Sequence, residues 1–401
     1  MYQNENSCWL ELNRAALLHN ISTLKKCLGQ KKLAFVVKGN AYGHGLDEIV
    51  GICKQNDAID WFCTATLSEA LHLRTLGVTK PLLVMSFVDQ DPLLALKADI
   101  DVVVYDHEHI LQLQQVAEQE RKPLYVHIKV DTGLSRFGFS PDEAFAFIAR
   151  LKDHPWLVVR GVMSHFATAE RVDELYARKQ MHAFQGLVEQ LKTDALLPEC
   201  VHMQASAASL RYAMPDMTMV RIGAAAYGLW PSQVVREESL KKGIELYPVA
   251  TWKSRIMHIR TVKSGSTIGY GCTYQATEDM RVAFFPVGYW QGYHRRLSNN
   301  ACVVIADQHA PVVGVVSMNV TAIDITHLEN VHVGSEVVLL GDIQGITAHE
   351  LADQIGSFNP REVLARLTAY IPKKVVAIPL AKEDKNGILK GLQRDHALTE
   401  S

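Results

Sequence analysis

The sequence predicts an α/β fold: a closed (β/α)8 barrel followed by an all-β domain. Eight short runs rich in Val, Ile and aromatic residues recur through roughly the first 230 residues. Segments with apolar residues at i, i+3, i+4 spacing separate most of them. After about residue 240, apolar and polar residues alternate in short runs bounded by Gly, Asp and Asn, the signature of an all-β region.

The eight runs are 33–38 (LAFVVK), 60–65 (DWFCTA), 81–86 (PLLVMS), 101–105 (DVVVY), 124–130 (LYVHIKV), 158–164 (VVRGVMS), 200–205 (CVHMQA) and 218–224 (TMVRIGA). LSEALHLRTLG and HEHILQLQQVAEQ are two of the intervening helical segments. Continuous apolar strands joined through helices are parallel strands buried on both faces. Eight such units fit a closed barrel of about 250 residues. An open doubly wound sheet is the alternative, but its glycine fingerprint is missing. The β region contains TWKSRIMHIRTV, MRVAFFPVGYW, ACVVIADQ, APVVGVVSMNVTAIDI and SEVVLLG. CWLELN, at 8–13, also alternates and is expected to add a strand to that second domain. The expected division is a barrel over 9–240, a β domain over 241–380 and a polar, frayed tail over 381–401.

Composition excludes several classes. The chain has 41 Lys+Arg against 43 Asp+Glu, too balanced for a basic nucleic-acid binder or a disordered acidic chain. No apolar stretch is long enough for a transmembrane helix, and the first twenty residues do not read as a signal peptide. Seven scattered cysteines, with no C-x-x-C pair, fit free thiols in a reducing cytoplasm.

In a barrel, functional side chains gather at the carboxyl ends of the strands, and the loops after strands seven and eight often hold phosphate. That rim offers Lys38, then GNAYGHG; Lys129, then DTGLSRFG with Arg136; His165; Ser206; and Arg221 with Gly223. A lysine at the buried end of an apolar strand is costly unless paired, neutral or covalently used. Burial lowers an amine's pKa, and the neutral amine is what condenses with a carbonyl. The plainer reading is a strand-end lysine that snorkels to solvent. Ser206 and the amides near Gly223 and Ala224 would form an uncharged phosphate cradle. Lysine and cradle together suggest pyridoxal phosphate.

Arg221, inside an apolar strand, must find partners and cannot lose its proton. Facing the ring nitrogen of such a cofactor, it would discourage protonation there and favour quick proton return, hence racemisation. His165 reads equally as a satisfied core histidine. His127, His165 and His202 leave a metal-dependent barrel hydrolase as an alternative. No G-x-S-x-G, H-E-x-x-H or G-x-x-x-x-G-K-[ST] motif is present.

AFVVKGNAYGHG resembles the cofactor-lysine motif of alanine racemases. VHIKVDTGLSRFGF, GVMSHFATAE, HMQASAAS, VRIGAAAYGLWPS, STIGYGCTY, PVGYWQGY and VVSMN follow in that family's order, so the resemblance runs from about residue 8 to 375. It implies a barrel carrying pyridoxal phosphate, a C-terminal β domain, and a head-to-tail homodimer with active sites at its interface. Lys38 corresponds to the cofactor lysine and one proton shuttle. Tyr270 corresponds to the opposing base, presented to the barrel of the partner subunit. Inverting a stereocentre needs a proton removed from one face and delivered to the other.

The resemblance further implies that His165, backed by Arg221, eases deprotonation of Tyr270. It gives Tyr42, Ser206, Gly223 and Ala224 to the phosphate. Arg136 goes to the cofactor phenolate and the substrate carboxylate, with Lys129, carbamylated in some relatives, supporting it. Tyr289 and Met318 line the substrate entrance. No metal, nucleic acid or membrane is implied; the substrate is a small amino acid, and the product D-alanine for cell-wall precursors. The chain departs from the family at Ala205, at Trp290 and Gln291, at Asn319, and at Asn359-Pro360-Arg361-Glu362, where a second phosphate tyrosine is replaced and Arg361 could substitute. These departures keep a serine or broad-specificity racemase open as a second reading. A decarboxylase of similar plan would place a carboxylate where Arg221 stands, and the small non-catalytic pyridoxal phosphate carriers lack a second domain.

Overall fold

A computed structural model describes residues 7–380. The tail 381–401, expected to fray, lies outside the described residues. Strand β1 (Cys8–Asn13) is followed by the barrel strands β2 (Lys32–Val36), β3 (Trp61–Thr66), β4 (Leu82–Phe87), β5 (Ile100–Val104), β6 (Leu124–Lys129), β7 (Leu157–Met163), β8 (Cys200–His202) and β9 (Met219–Ile222). They form one sheet in the order β8-β7-β6-β5-β4-β3-β2-β9, and its paired strands run parallel. A parallel bridge between Ala205 and Arg221 joins β8 to β9 and closes the ring. All eight expected runs are strands, ending one to three residues earlier than expected in most cases.

Both faces of these strands are buried, but by different partners. Ala34 and Val36 of β2, Trp61 and Cys63 of β3, Leu83, Val103, Met163, Cys200 and Met219 pack together inside the barrel. Leu33, Phe35, Phe62, Leu82 and Val102 pack outward under the helices. Side chains alternate along a strand, so parity also sends Asp101, His127, Lys129, His202 and Arg221 into the interior. All five are buried.

The helices carry local start signals. Asn13 Oδ1 accepts from the amides of Ala15 and Ala16, at 3.0 and 3.4 Å, and caps helix Arg14–Leu28. Ser140 and Glu143 form a reciprocal capping box on helix Pro141–Leu151.

Strand β1 leaves the barrel and lies between segments 250–255 and 373–376 in a six-stranded, mostly antiparallel sheet. The run TWKSRIMHIRTV is one uninterrupted alternation in the sequence, yet it is two strands. The Ile256 amide donates to Ser335 in the first sheet, and the Met257 amide to Phe284 in the second. The chain changes sheets between adjacent residues, and alternation alone does not mark such a corner. APVVGVVSMNVTAIDI is likewise broken, into strands 308–311 and 321–324, with Gly314 at φ +78° in between.

Candidate active site

Lys38 opens a segment that helical spacing does not anticipate. Gly39, Asn40 and Ala41 have φ near +63°, +54° and +52° with ψ near +50°, and Tyr42 has φ +55°. This is a left-handed turn, disfavoured by about 1–2 kcal/mol for each residue with a Cβ. Surrounding structure holds it. The Gly39 amide donates to Glu69 at 2.7 Å, Asn40 Oδ1 accepts from the Leu46 amide at 2.8 Å, and Gly43 closes on the carbonyls of Gly39 and Asn40 at 3.0 Å. Such backbone strain collects at functional sites. Here it carries Tyr42 back toward Gly223 at the end of β9.

Burial, then the cations Arg136 and Arg221, lower the Lys38 pKa from its ordinary value. Lys129 is lowered well below its ordinary value by the same causes: burial first, then Arg221 and Arg136. Both amines are biased toward the neutral, nucleophilic form. Arg136 itself is exposed, its guanidinium 5.7 Å from the Phe137 ring centre.

The cradle lies on the neighbouring strand, since β2, which leads into Lys38, pairs with β9, which leads into Gly223. Ser206 Oγ accepts from the Gly223 amide at 3.1 Å and the Ala225 amide at 3.4 Å. Ala224 begins a short 3-10 turn there. A Cβ at Gly223 would stand 2.4 Å from the Tyr42 hydroxyl oxygen, so only glycine lets that phenol approach the amides. Burial pushes the Tyr42 phenol up to about 12, keeping it a hydrogen-bond donor. A hydroxyl, a phenol and converging amides beside a neutral-biased lysine fit a phosphorylated aldehyde.

Arg221 is the hub of the interior. Its Nη1 donates to His202 Nδ1 at 2.7 Å and to the His202 carbonyl at 3.0 Å. Its Nη2 donates to the carbonyls of Ser164 and Met203 and to His165 Nδ1, the last at 3.1 Å. Burial pulls Arg221 down to about 10, still charged at neutral pH. Guanidinium has no acceptor, so both histidines must accept at Nδ1 and carry their proton on Nε2. His202 Nε2 therefore donates to His127 Nδ1 at 2.8 Å, and His127 Nε2 donates to Asp101 at 3.3 Å. Arg160 completes the line on Asp101 at 2.9 and 3.1 Å.

This line was only partly legible beforehand. His127 and His202 stood in the sequence as metal-ligand candidates, but their Nδ1 and Nε2 atoms are engaged with each other and with Arg221 and Asp101. Sequence reasoning missed Asp101, Arg160 and Glu69. An acid at the head of the otherwise apolar run 101–105 was the signal that could have found Asp101.

Burial, then Arg221, holds His165 and His202 well below the ordinary histidine value, and burial brings His44 to about 4. In the unfolded chain these groups titrate near 6.5. As pH falls below 6.5, the unfolded chain therefore binds protons that the folded one refuses, and stability is lost through to pH 4. For His44 alone the shift corresponds to roughly 3 kcal/mol. Urea unfolding at pH 7, 5.5 and 4 should show that decline, flattened in His44→Gln; equal slopes in the two proteins would refute it.

The remaining candidates lie elsewhere in the chain. Tyr270 stands at the tip of a hairpin (Thr267–Ile268 with Tyr274–Gln275) in the β domain, 72% exposed. Tyr289 and Met318 are exposed on neighbouring loops, tied by the Tyr289 and Trp290 amides donating to Ser317 and Met318 carbonyls at 3.1 and 3.0 Å. Among the described residues, no hydrogen bond joins Tyr270 to His165 within the chain. Arg361 is not a loose surface residue, because it pairs with Glu170 through both terminal nitrogens, at 2.7 and 3.1 Å.

Comparison with known proteins adds an independent line. The sequence profile "Alanine racemase, N-terminal domain" matches residues 12–231, and "Alanine racemase, C-terminal domain" matches 249–375. The chain is 34% identical over 370 residues to an alanine racemase of Methanococcus maripaludis, covering 91% of this chain and 97% of that one. It is 33% identical to alanine racemase 2 of Caldanaerobacter subterraneus, covering 91% and 93%. Among solved structures, the alanine racemase of Clostridium difficile 630 superposes with a TM-score of 0.87 at 29% identity, covering 94% and 97%. That of Bacillus anthracis, with bound L-Ala-P, superposes with a TM-score of 0.83 at 30% identity, covering 93% and 95%.

Proposed function

The chain belongs to the alanine racemase family, and from that premise we propose that it interconverts L- and D-alanine with pyridoxal phosphate at the barrel mouth. One observation carries the reading: Lys38, its pKa lowered by burial, lies on the strand next to a phosphate-sized cradle, with Arg221, charged at neutral pH, in the same strand as that cradle. Lys38, Tyr42, His165, Ser206, Arg221, Gly223 and Ala224 would hold the cofactor. Bound there, pyridoxal phosphate supplies a conjugated aldehyde that acidifies the Cα–H of an attached amino acid.

The chain's own residues then manage protons. Lys38 takes or returns the Cα proton on one face, and Tyr270 of the partner subunit serves the other. His165, with Nδ1 occupied by Arg221, offers its Nε2–H outward, where it would stabilise a phenolate. Arg221 keeps its charge and, among the described residues, has no carboxylate hydrogen-bonded to it, so it opposes protonation at the ring nitrogen and favours proton return over decarboxylation. Arg136, supported by Lys129, would hold the substrate carboxylate, with Tyr289 and the Met318 amide at the entrance.

The homodimer belongs to the same proposal. Tyr270, Tyr289, Trp290, Met318 and Tyr370 are exposed on the β domain, with Trp290 and Tyr370 stacked at 6.4 Å. Aromatic residues left in solvent suit an interface core, and a second copy docked there would bring Tyr270 to a barrel mouth. The domain division at residues 240 and 241 and a cytoplasmic setting complete the proposal; no helix among the described residues is long and apolar enough to cross a membrane. Incubating the purified protein separately with L-Ala, L-Ser and L-Lys tests the substrate. Alanine should racemise fastest, and comparable rates on all three would replace the narrow reading by the broad-specificity one.

A further inference from the structure

Helix Pro360–Ala365 of the β domain packs against the turn that carries Lys38 and Tyr42. The fit is close: a Cβ at Gly43 would stand 1.9 Å from the Leu364 carbonyl oxygen. Arg361, in the first turn of that helix, is anchored on two sides. Its Nε donates to Asn359 Oδ1 at 2.7 Å, and its terminal nitrogens donate to the two Glu170 oxygens at 2.7 and 3.1 Å. Glu170 lies in the loop after β7, where its carbonyl accepts from Ser232 at 2.7 Å. The guanidinium is thus fixed between the two domains.

Those three bonds use three of the five guanidinium N–H groups, leaving one on each terminal nitrogen. The helix that carries the fork packs on the turn that carries Tyr42 of the cradle. Arg361 is the cation whose field reaches the Tyr42 phenol, and it acts on Lys38 as well. The cradle otherwise consists of Ser206, the amides of Gly223 to Ala225, and the Tyr42 hydroxyl, all uncharged. Glu170 fixes the plane of the fork through both terminal nitrogens, leaving one N–H on each to donate elsewhere.

We propose that Arg361 is the charged member of the phosphate cradle, donating its remaining N–H groups to the phosphate monoester of the cofactor, with Glu170 as its positioning residue. This rests on the cofactor reading above. Charge-assisted, fork-shaped donation is what guanidinium offers phosphate.

The test is equilibrium binding to the cofactor-free protein, followed by tryptophan fluorescence, with pyridoxal phosphate, pyridoxal and inorganic phosphate as probes. Arg361→Ala should weaken pyridoxal phosphate roughly tenfold or more, the scale of one hydrogen bond between charged groups. Its affinity for pyridoxal, which has no phosphate, should not change. Inorganic phosphate should compete with pyridoxal phosphate in the wild type and lose that ability in the variant. Glu170→Gln leaves the cation but loosens the bidentate grip that orients it, so it should weaken pyridoxal phosphate by less than Arg361→Ala and leave pyridoxal unchanged. Arg361→Lys keeps the charge and should recover most of the affinity, which separates the proposal from a folding defect.

Equal weakening of pyridoxal and pyridoxal phosphate by Arg361→Ala would overturn the proposal, leaving Arg361 as a tie between helix and barrel. So would equal weakening of pyridoxal phosphate by Arg361→Ala and Glu170→Gln. A wild-type protein that binds neither pyridoxal nor its phosphate would sink the cofactor reading along with it.

Discussion

Lys38→Ala is expected to abolish both the visible absorbance of the lysine-bound cofactor and racemisation in either direction. Two functions leave together: the amine that anchors the aldehyde and the group that moves a proton on one face. Loss of acid–base catalysis alone costs roughly 10²–10⁴-fold, and loss of covalent attachment adds to it. The effect should be chemical. Lys38 is half-buried and sits at the edge of the core, so the variant should keep its fold by circular dichroism. A folded Lys38→Ala protein that still racemises alanine at more than about a hundredth of the wild-type rate would contradict the assignment, since it would have lost less than proton transfer alone supplies.

Tyr270→Ala should behave differently. Cofactor uptake and colour persist, because the cradle, Lys38 and Arg221 are untouched. Racemisation falls by roughly 10²–10⁴-fold, but proton exchange becomes one-sided. In deuterated water the wild type should exchange the Cα proton of both enantiomers; the variant should exchange only the one whose proton faces Lys38. Mixing the two variants then tests the trans arrangement. In a heterodimer of Lys38→Ala with Tyr270→Ala, one site carries both defects and the other carries neither. Random assortment makes about half of the dimers mixed, so activity should return to about a quarter of the wild type. Mixtures with no more activity than either parent would place Tyr270 in its own subunit's site or outside the chemistry altogether.

Much of the fold was legible in the sequence because the barrel strands leave little choice. Parallel strands under helices must be apolar on both faces, and eight such runs with helical spacers narrow the architecture to very few. The same logic exposed Lys38, Lys129 and Arg221, since a cation in an apolar run must be paired, neutral, covalently used or able to snorkel to solvent. Inside-outside parity was less visible. A continuous apolar run does not show which face is the barrel interior, and so Asp101, His127 and His202 did not emerge as one hydrogen-bonded line. Their histidines looked like candidate ligands until Arg221 was seen to occupy Nδ1 of His202.

What the amino-acid order determined by itself, then, was the series of strands, the exceptional charges within them and the motifs that mark the family, because these depend on neighbours a few residues away. The tertiary structure alone decided the left-handed turn after Lys38, the corner at Ile256 and Met257, the pairing of Arg361 with Glu170 across 191 residues, and the exposure of Tyr270. A left-handed turn costs energy wherever it forms and persists here with the help of a group brought in by another strand–helix unit, Glu69. A guanidinium chooses its carboxylate, and a phenol its solvent, only after the chain has closed into a barrel and brought the second domain against its mouth.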